Sequence, residues 1–145
     1  MIVSYSTLTS IQKPHTDNIF SGKKFIEWRK RPLPYGKHFC YETKKNGGCG
    51  KIIGQFDVNH VARYNSVDDI DDFLLQFGCV SRDFLREYSS GKPLYANFIW
   101  LVKRYDVPLE LVDFVSISPQ SNSCFNDVYK PIKRPPQNYC FVLRR

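Results

Sequence analysis

The densest chemistry in the chain lies in Ser21-Gly22-Lys23-Lys24-Phe25-Ile26-Glu27-Trp28-Arg29-Lys30-Arg31, with five cationic side chains, two aromatic rings and one carboxylate. Ammonium and guanidinium groups neutralise phosphate, guanidinium pairs bidentately, and exposed rings stack on bases. Alternation from Phe25 to Arg29 divides these roles between two strand faces. Ile26 and Trp28 share one face and read as core. Phe25, Glu27 and Arg29 share the other, and Lys24 and Arg29 read as ligand-facing cations. A competing reading has Glu27 and Arg29 pairing with residues across a sheet.

Other constellations carry less. Gly47-Gly48-Cys49-Gly50-Lys51 invites comparison with a phosphate loop, but Ile52 follows the lysine and offers no hydroxyl, and Lys45 stands where the earlier glycine belongs. A hairpin connection fits it better. His38, Cys40, Cys49 and His60 lack the close cysteine pair that anchors a zinc site, so no metal is expected, and no cofactor. There is no nucleophile elbow and no zinc-peptidase motif.

The charge is uneven. The chain of 145 residues has 21 Lys and Arg against 14 Asp and Glu, a net +7. Residues 1–65 hold 11 basic and 4 acidic side chains, which is the whole excess, and the remainder is balanced at 10 against 10. Localised positive charge attracts polyanions, nucleic acid first among them, although it also serves solubility. With 42% hydrophobic and 15% aromatic residues, the chain has enough apolar material for one ordinary domain over 1–145. The longest apolar run, Phe98 to Val102, is too short to span a bilayer, and the first ten residues do not resemble a secretory signal. Five irregularly spaced cysteines do not form a disulfide framework. These features predict a cytoplasmic protein with no membrane association.

The elements that must position the cationic stretch follow from periodicity. Ile2 to Thr7 predicts a first strand, Pro14 to Gly22 a short helix, and Phe25 to Arg29 a second strand. His38 to Thr43 and Lys51 to Tyr64 read as strands joined by the glycine-rich connection. Val67, Ile70, Phe73, Leu74 and Phe77 recur at helical spacing up to Gly78, with Asp68, Asp69, Asp71 and Asp72 forming a solvated face, not a metal site. Ser81 caps a second helix through Tyr88, which completes a helical insert over about 66–91. Leu94 to Tyr105 is strongly strand-like, a helical turn is expected near Leu109 to Val112, and Asn138 to Leu143 predicts the last strand after a Ser/Asn-rich loop. Pro119-Gln120-Ser121-Asn122 and Pro136-Gln137-Asn138 echo each other, but no repeat is long enough to build a solenoid. The class expected is α+β, a small mixed β-barrel with peripheral helices.

Ile19-Phe20-Ser21-Gly22-Lys23-Lys24-Phe25-Ile26-Glu27-Trp28-Arg29-Lys30-Arg31 resembles the signature of the ASCH domain, in which a helix ends at glycine and lysine and glutamate and arginine follow. Similar in order are Ile2 to Ser6, Tyr41 to Thr43, Lys51 to Phe56, Ser81 to Ala96 and Arg134 to Val142, so the likeness covers nearly the whole chain, in the manner of short phage and bacterial relatives. The resemblance implies a PUA-like fold with a cleft for RNA or a nucleotide or nucleoside, single-stranded DNA being a further polyanion of the same kind. It places Lys24, Glu27 and Arg29 in that cleft, with Tyr41 and Thr43 from a neighbouring strand and Gln137 and Asn138 from the last. There Tyr41 would stack on a base, amides and the carboxylate would read its edges, and cations would hold phosphate. Lys24 and Glu27 share one side only if Lys24 precedes the strand or a bulge intervenes.

A catalytic branch of the family implies an alternative, a hydrolase acting on acylated cytidine or on RNA through Lys24 and Glu27. Its threonine nucleophile maps onto Glu27, and a carboxylate replaces an alkoxide poorly. Glu27 could instead serve as a general base if burial raises its pKa, whereas an ion pair with Arg29 would lower it. A third reading is a phage accessory protein that docks on a host protein through the helical insert.

Overall fold

In the computed structural model, residues 5–118 and 128–145 are described. In chain order the elements are β1 (Ser6–Ile11), α1 (His15–Phe20), β2 (Ile26–Arg29), β3 (Gly36–Glu42), β4 (Lys51–Tyr64), α2 (Asp72–Gly78), α3 (Arg82–Ser89), β5 (Leu94–Leu109), β6 (Phe114–Ser118), β7 (Val128–Pro131) and β8 (Tyr139–Arg144). Single 3₁₀ turns at Lys45–Gly47, Val67–Asp69 and Leu111–Asp113 join them. All strands belong to one mixed sheet in the order β2-β5-β4-β3-β1-β8-β6-β7. The expected barrel is corrected: among the described residues β2 and β7 stand at the two ends of the order and do not pair with each other, so the sheet is open. Three short helices accompany it.

β1 pairs in parallel with β3, Leu8 opposite Phe39 and Ser10 opposite Tyr41. A parallel pair needs a crossover, and the segment between these strands supplies it with α1 and β2. On its other side β1 pairs antiparallel with β8, Leu8 opposite Cys140.

The chain divides into two compact units. The first draws on Met1–Lys13, Lys37–Gln55 and Arg104–Arg145, the second on Pro14–Gly36 and Phe56–Lys103, and the long β4 and β5 contribute to both. In the first, Leu8, Phe39, Tyr41, Ile52, Phe114 and Val142 form the core, with Phe39 and Phe114 edge-on at 4.8 Å between centroids. In the second, Ile26, Trp28, Val67, Ile70, Leu85, Leu94 and Ala96 do so. Trp28 and Ile26 are thus core, as their strand face predicts.

The helical insert differs from the single amphipathic helix expected up to Gly78. Ser66 accepts a hydrogen bond from the Asp68 amide and caps a 3₁₀ turn, Ile70 and Asp71 return to extended backbone, and α2 starts only at Asp72. Burial of Val67 and Ile70 is achieved without a continuous helix. The four aspartates are exposed, as expected. Asp68 pairs with Arg86 at 2.8 Å and Asp72 with Arg82 at 2.6 Å. Ser81 caps α3 as predicted, accepting from the Phe84 amide at 3.0 Å.

β1 extends to Ile11, beyond the predicted Thr7. β5 runs four residues past Tyr105, through Pro108. The four-residue β2 pairs only with Tyr95 to Phe98, so a later proline on β5 removes no bond to it. β6 and β7 are additions that the sequence reading lacks; the first is a five-residue run, and the second ends in Pro131 at the sheet's end. Most of the Ser/Asn-rich loop, with Pro119-Gln120-Ser121-Asn122, lies outside the described residues.

Candidate functional site

Gly22 starts the construction of the cationic cluster. It takes φ +83°, where a side chain would be strained, and α1 ends there. The Lys23 and Lys24 amides both donate to the Asn18 carbonyl, at 3.0 and 2.9 Å, which turns the chain back and delivers Lys24. The Phe25 amide then donates to the Phe77 carbonyl at 2.7 Å, and β2 begins at Ile26. Lys24 therefore precedes the strand, and the parity conflict with Glu27 disappears.

Lys24 points inward. It is 1% exposed, its Nζ donates to the Gly78 carbonyl at 2.6 Å, and the same ammonium lies 3.6 Å from Glu27 Oε1. Gly78 closes α2, so Lys24 satisfies a carbonyl at the negative end of a helix. A Cβ on Gly78 would fall 2.4 Å from Trp28 Nε1, so only glycine allows α2 to lie this close to β2. A solvent-facing ammonium, as the phosphate-holding role assumed, is not what the fold builds here.

Glu27 is buried and shared. Its Oε2 accepts from Arg29 Nη2 at 3.1 Å, on the same strand face two residues on. Asn97, opposite Glu27 on β5, donates to the Glu27 carbonyl at 3.0 Å and accepts from the Leu33 amide at 2.8 Å, fixing the strand beneath the cluster. Burial pushes the Glu27 carboxyl up, but the Arg29 and Lys24 charges together outweigh it and hold the pKa below its ordinary value. A carboxylate so held is a weak proton acceptor.

Around this cluster stand groups that the sequence reading did not single out. His15, at the start of α1, has a buried Nδ1 without a hydrogen-bond partner. Burial, and then the Lys24 charge, push its pKa below the usual value, although Glu27 pulls the other way. The His15 ring lies 6.3 Å from that of Phe84, and Phe84 stacks on Tyr88 at 6.2 Å with 14° between planes. Lys30 Nζ sits 4.9 Å over the Tyr88 ring. The i,i+4 spacing of Phe84 and Tyr88 was the available signal, but it reads equally well as a core stripe.

The other expected site residues fall in the first unit. Tyr41 is 4% exposed with its ring in that unit's core, so the stacking role assigned to it is corrected. Thr43 follows β3, its amide donating to the Ile11 carbonyl at 3.0 Å and its buried hydroxyl lacking a partner. The Asn138 carbonyl accepts from the Ser10 amide at 3.0 Å, and Gln137 is exposed. These residues gather around the end of β1, while Lys24, Glu27 and Arg29 belong to the second unit. Of the zinc candidates, His38 is buried with its Nδ1 2.6 Å from Thr9 Oγ1, and His60 lies against Phe98. The described residues hold no group of three or more metal-ligating side chains. The Gly50 amide donates to the Glu42 carbonyl at 3.0 Å, closing the glycine-rich connection as a loop between adjacent strands.

The fold that carries this cluster is that of the ASCH proteins. The chain is similar to the crystal structure of an ASCH protein from Zymomonas mobilis, with TM-score 0.69 and 20% identity over 97% of this chain and 88% of that one. Two variants of that protein agree: a serine-to-alanine form at TM-score 0.69, 20% identity and 89% of its length, and a tyrosine-to-phenylalanine form at 0.69, 19% and 91%. No protein-family model matches the sequence, and no curated protein matches it either. Among the described residues no helix is long and apolar enough to cross a membrane.

Proposed function

We propose that the chain binds nucleic acid, RNA or a nucleotide in the first place, through the cationic surface that begins at Gly22 and runs to Arg31. One observation carries the reading: Lys24 and Arg29 share the single carboxylate of Glu27 in a largely buried setting. Two cations thus meet on one carboxylate where water screens charge little. The exposed Lys23, Lys30 and Arg31 extend the same sign outward. An anionic phosphate complements this arrangement, and the ASCH fold with its PUA-like character supports a polynucleotide partner. Lys24 and Arg29 act here as internal struts on Glu27, and the exposed Lys30 and Arg31 are the phosphate-facing cations.

The hydrolase alternative loses support because its conditions fail at Glu27. The carboxylate is ion-paired with its pKa held down, which suits a fixed charge better than a general base.

The test is a titration of labelled single-stranded RNA at increasing salt. Binding that weakens linearly in log salt, with the slope reduced by about one in Lys30→Ala or Arg31→Ala, supports the proposal. A chain that binds no RNA, single-stranded DNA or nucleotide at low salt is not what we describe.

A further inference from the structure

The cationic surface says where phosphate would sit but not how an unpaired base would be held. Four side chains of the second unit converge on that question. Phe84 and Tyr88 present stacked rings on α3, and Phe84 is 46% exposed. His15 brings a third ring from α1. Lys30 carries its ammonium over the Tyr88 face. Arg29 and Glu27 lie close enough to perturb Tyr88 electrostatically, and both also act on His15. Rings and cations therefore belong to one locality, which none of the expected stacking residues supplies.

We infer that the exposed Phe84 ring, backed by Tyr88 and flanked by His15, is a stacking platform for an unpaired nucleobase whose adjoining phosphate is held by Lys30 and Arg31. The inference rests on the nucleic-acid reading above and adds its recognition element. It specifies a single-stranded partner, because a base inside a duplex offers no free face. It requires no base-specific hydrogen bond, so every base has the π-face the site needs. The acidic side chains Asp83 and Glu87 flank Phe84 on α3 and disfavour a phosphate on their side, and Asp83 is neutralised in part by Arg86 at 3.0 Å.

The experiment uses the full chain and an RNA oligonucleotide bearing 2-aminopurine, whose fluorescence falls on stacking. Wild-type protein should quench the probe. Phe84→Ala should abolish the quench and weaken binding by roughly five- to a hundred-fold, the range for loss of one base stack. Its salt slope should be unchanged, whereas Lys30→Ala should lower that slope by about one. Phe84→Trp should restore both quench and affinity, and circular dichroism should show all three variants folded. A blunt duplex should bind more weakly than the single strand, and parallel DNA and mononucleotide arms show whether the sugar or chain length matters. Wild-type affinity in Phe84→Ala, or equal binding of duplex and single strand, overturns the inference while the nucleic-acid reading stands. Absence of binding by the wild type overturns both.

Discussion

Two buried polar sites in this molecule look alike by exposure and differ in everything that matters for function. In the first unit, Thr9 and His38 are completely buried and 2.6 Å apart, a hydrogen-bonded pair between neighbouring strands. In the second, Lys24 and Glu27 are also buried, and Arg29 joins them, so two cations share one carboxylate. The Thr9–His38 pair is a hydrogen bond of the kind that buried polar groups normally make within a fold. The charged cluster instead gathers two cations around one carboxylate.

Removing one member from each site should separate them. Glu27→Ala leaves two cations without their shared carboxylate and should cost about 3–5 kcal/mol in chemical denaturation. Thr9→Val deprives the His38 ring nitrogen of its partner and should cost less, about 1–3 kcal/mol, with RNA affinity unchanged. Equal losses, or an RNA defect in Thr9→Val, would contradict the distinction. Gly78→Ala sits between the two in kind, since it tests packing rather than charge. The added methyl against Trp28 should cost about 1–3 kcal/mol and displace the carbonyl that Lys24 holds.

Acid should expose the same contrast more gently. The Glu27 carboxyl has its folded pKa below the ordinary 4.5, so its contribution is complete above that pH and fades as pH falls through the lower folded value. His15 is held below 6.5, so the unfolded chain takes up its proton first and stability begins to fall as pH drops below 6.5. His15→Gln should flatten thermal stability between pH 7 and 5 and leave the steeper loss near Glu27's range in place. An unchanged profile in that variant would remove His15 from the account.

Much of the framework was legible in the sequence because strong local signals coincided. β4 matches its predicted span, α1 lies within Pro14 to Gly22, and Ser81 caps α3 where a serine before an amphipathic run should. The break in the insert was not legible, since Val67, Ile70 and Phe73 have helical spacing whether or not the helix is continuous. Open ends of the sheet were hidden for a related reason: strand pairing is non-local, and alternation cannot tell a barrel from an open sheet. At the site, residue types marked Lys24, Glu27 and Arg29 correctly as neighbours. Their orientation depended on Gly78, fifty-four residues away, whose carbonyl draws Lys24 inward. Tyr41 looked like a stacking ring because nothing in β3 shows which of its faces meets Phe114 and Val142. Phe84 and Tyr88 were passed over for the opposite reason, because helical spacing suggested core.

The most direct measurement maps amide chemical shifts in the isotope-labelled chain during titration with a short single-stranded RNA. The account predicts shifts concentrated at Lys23 to Arg31 and at Phe84 to Tyr88, growing as salt is lowered, with Thr9 and His38 still. Shifts confined to the first unit, or none at any salt concentration, would contradict it.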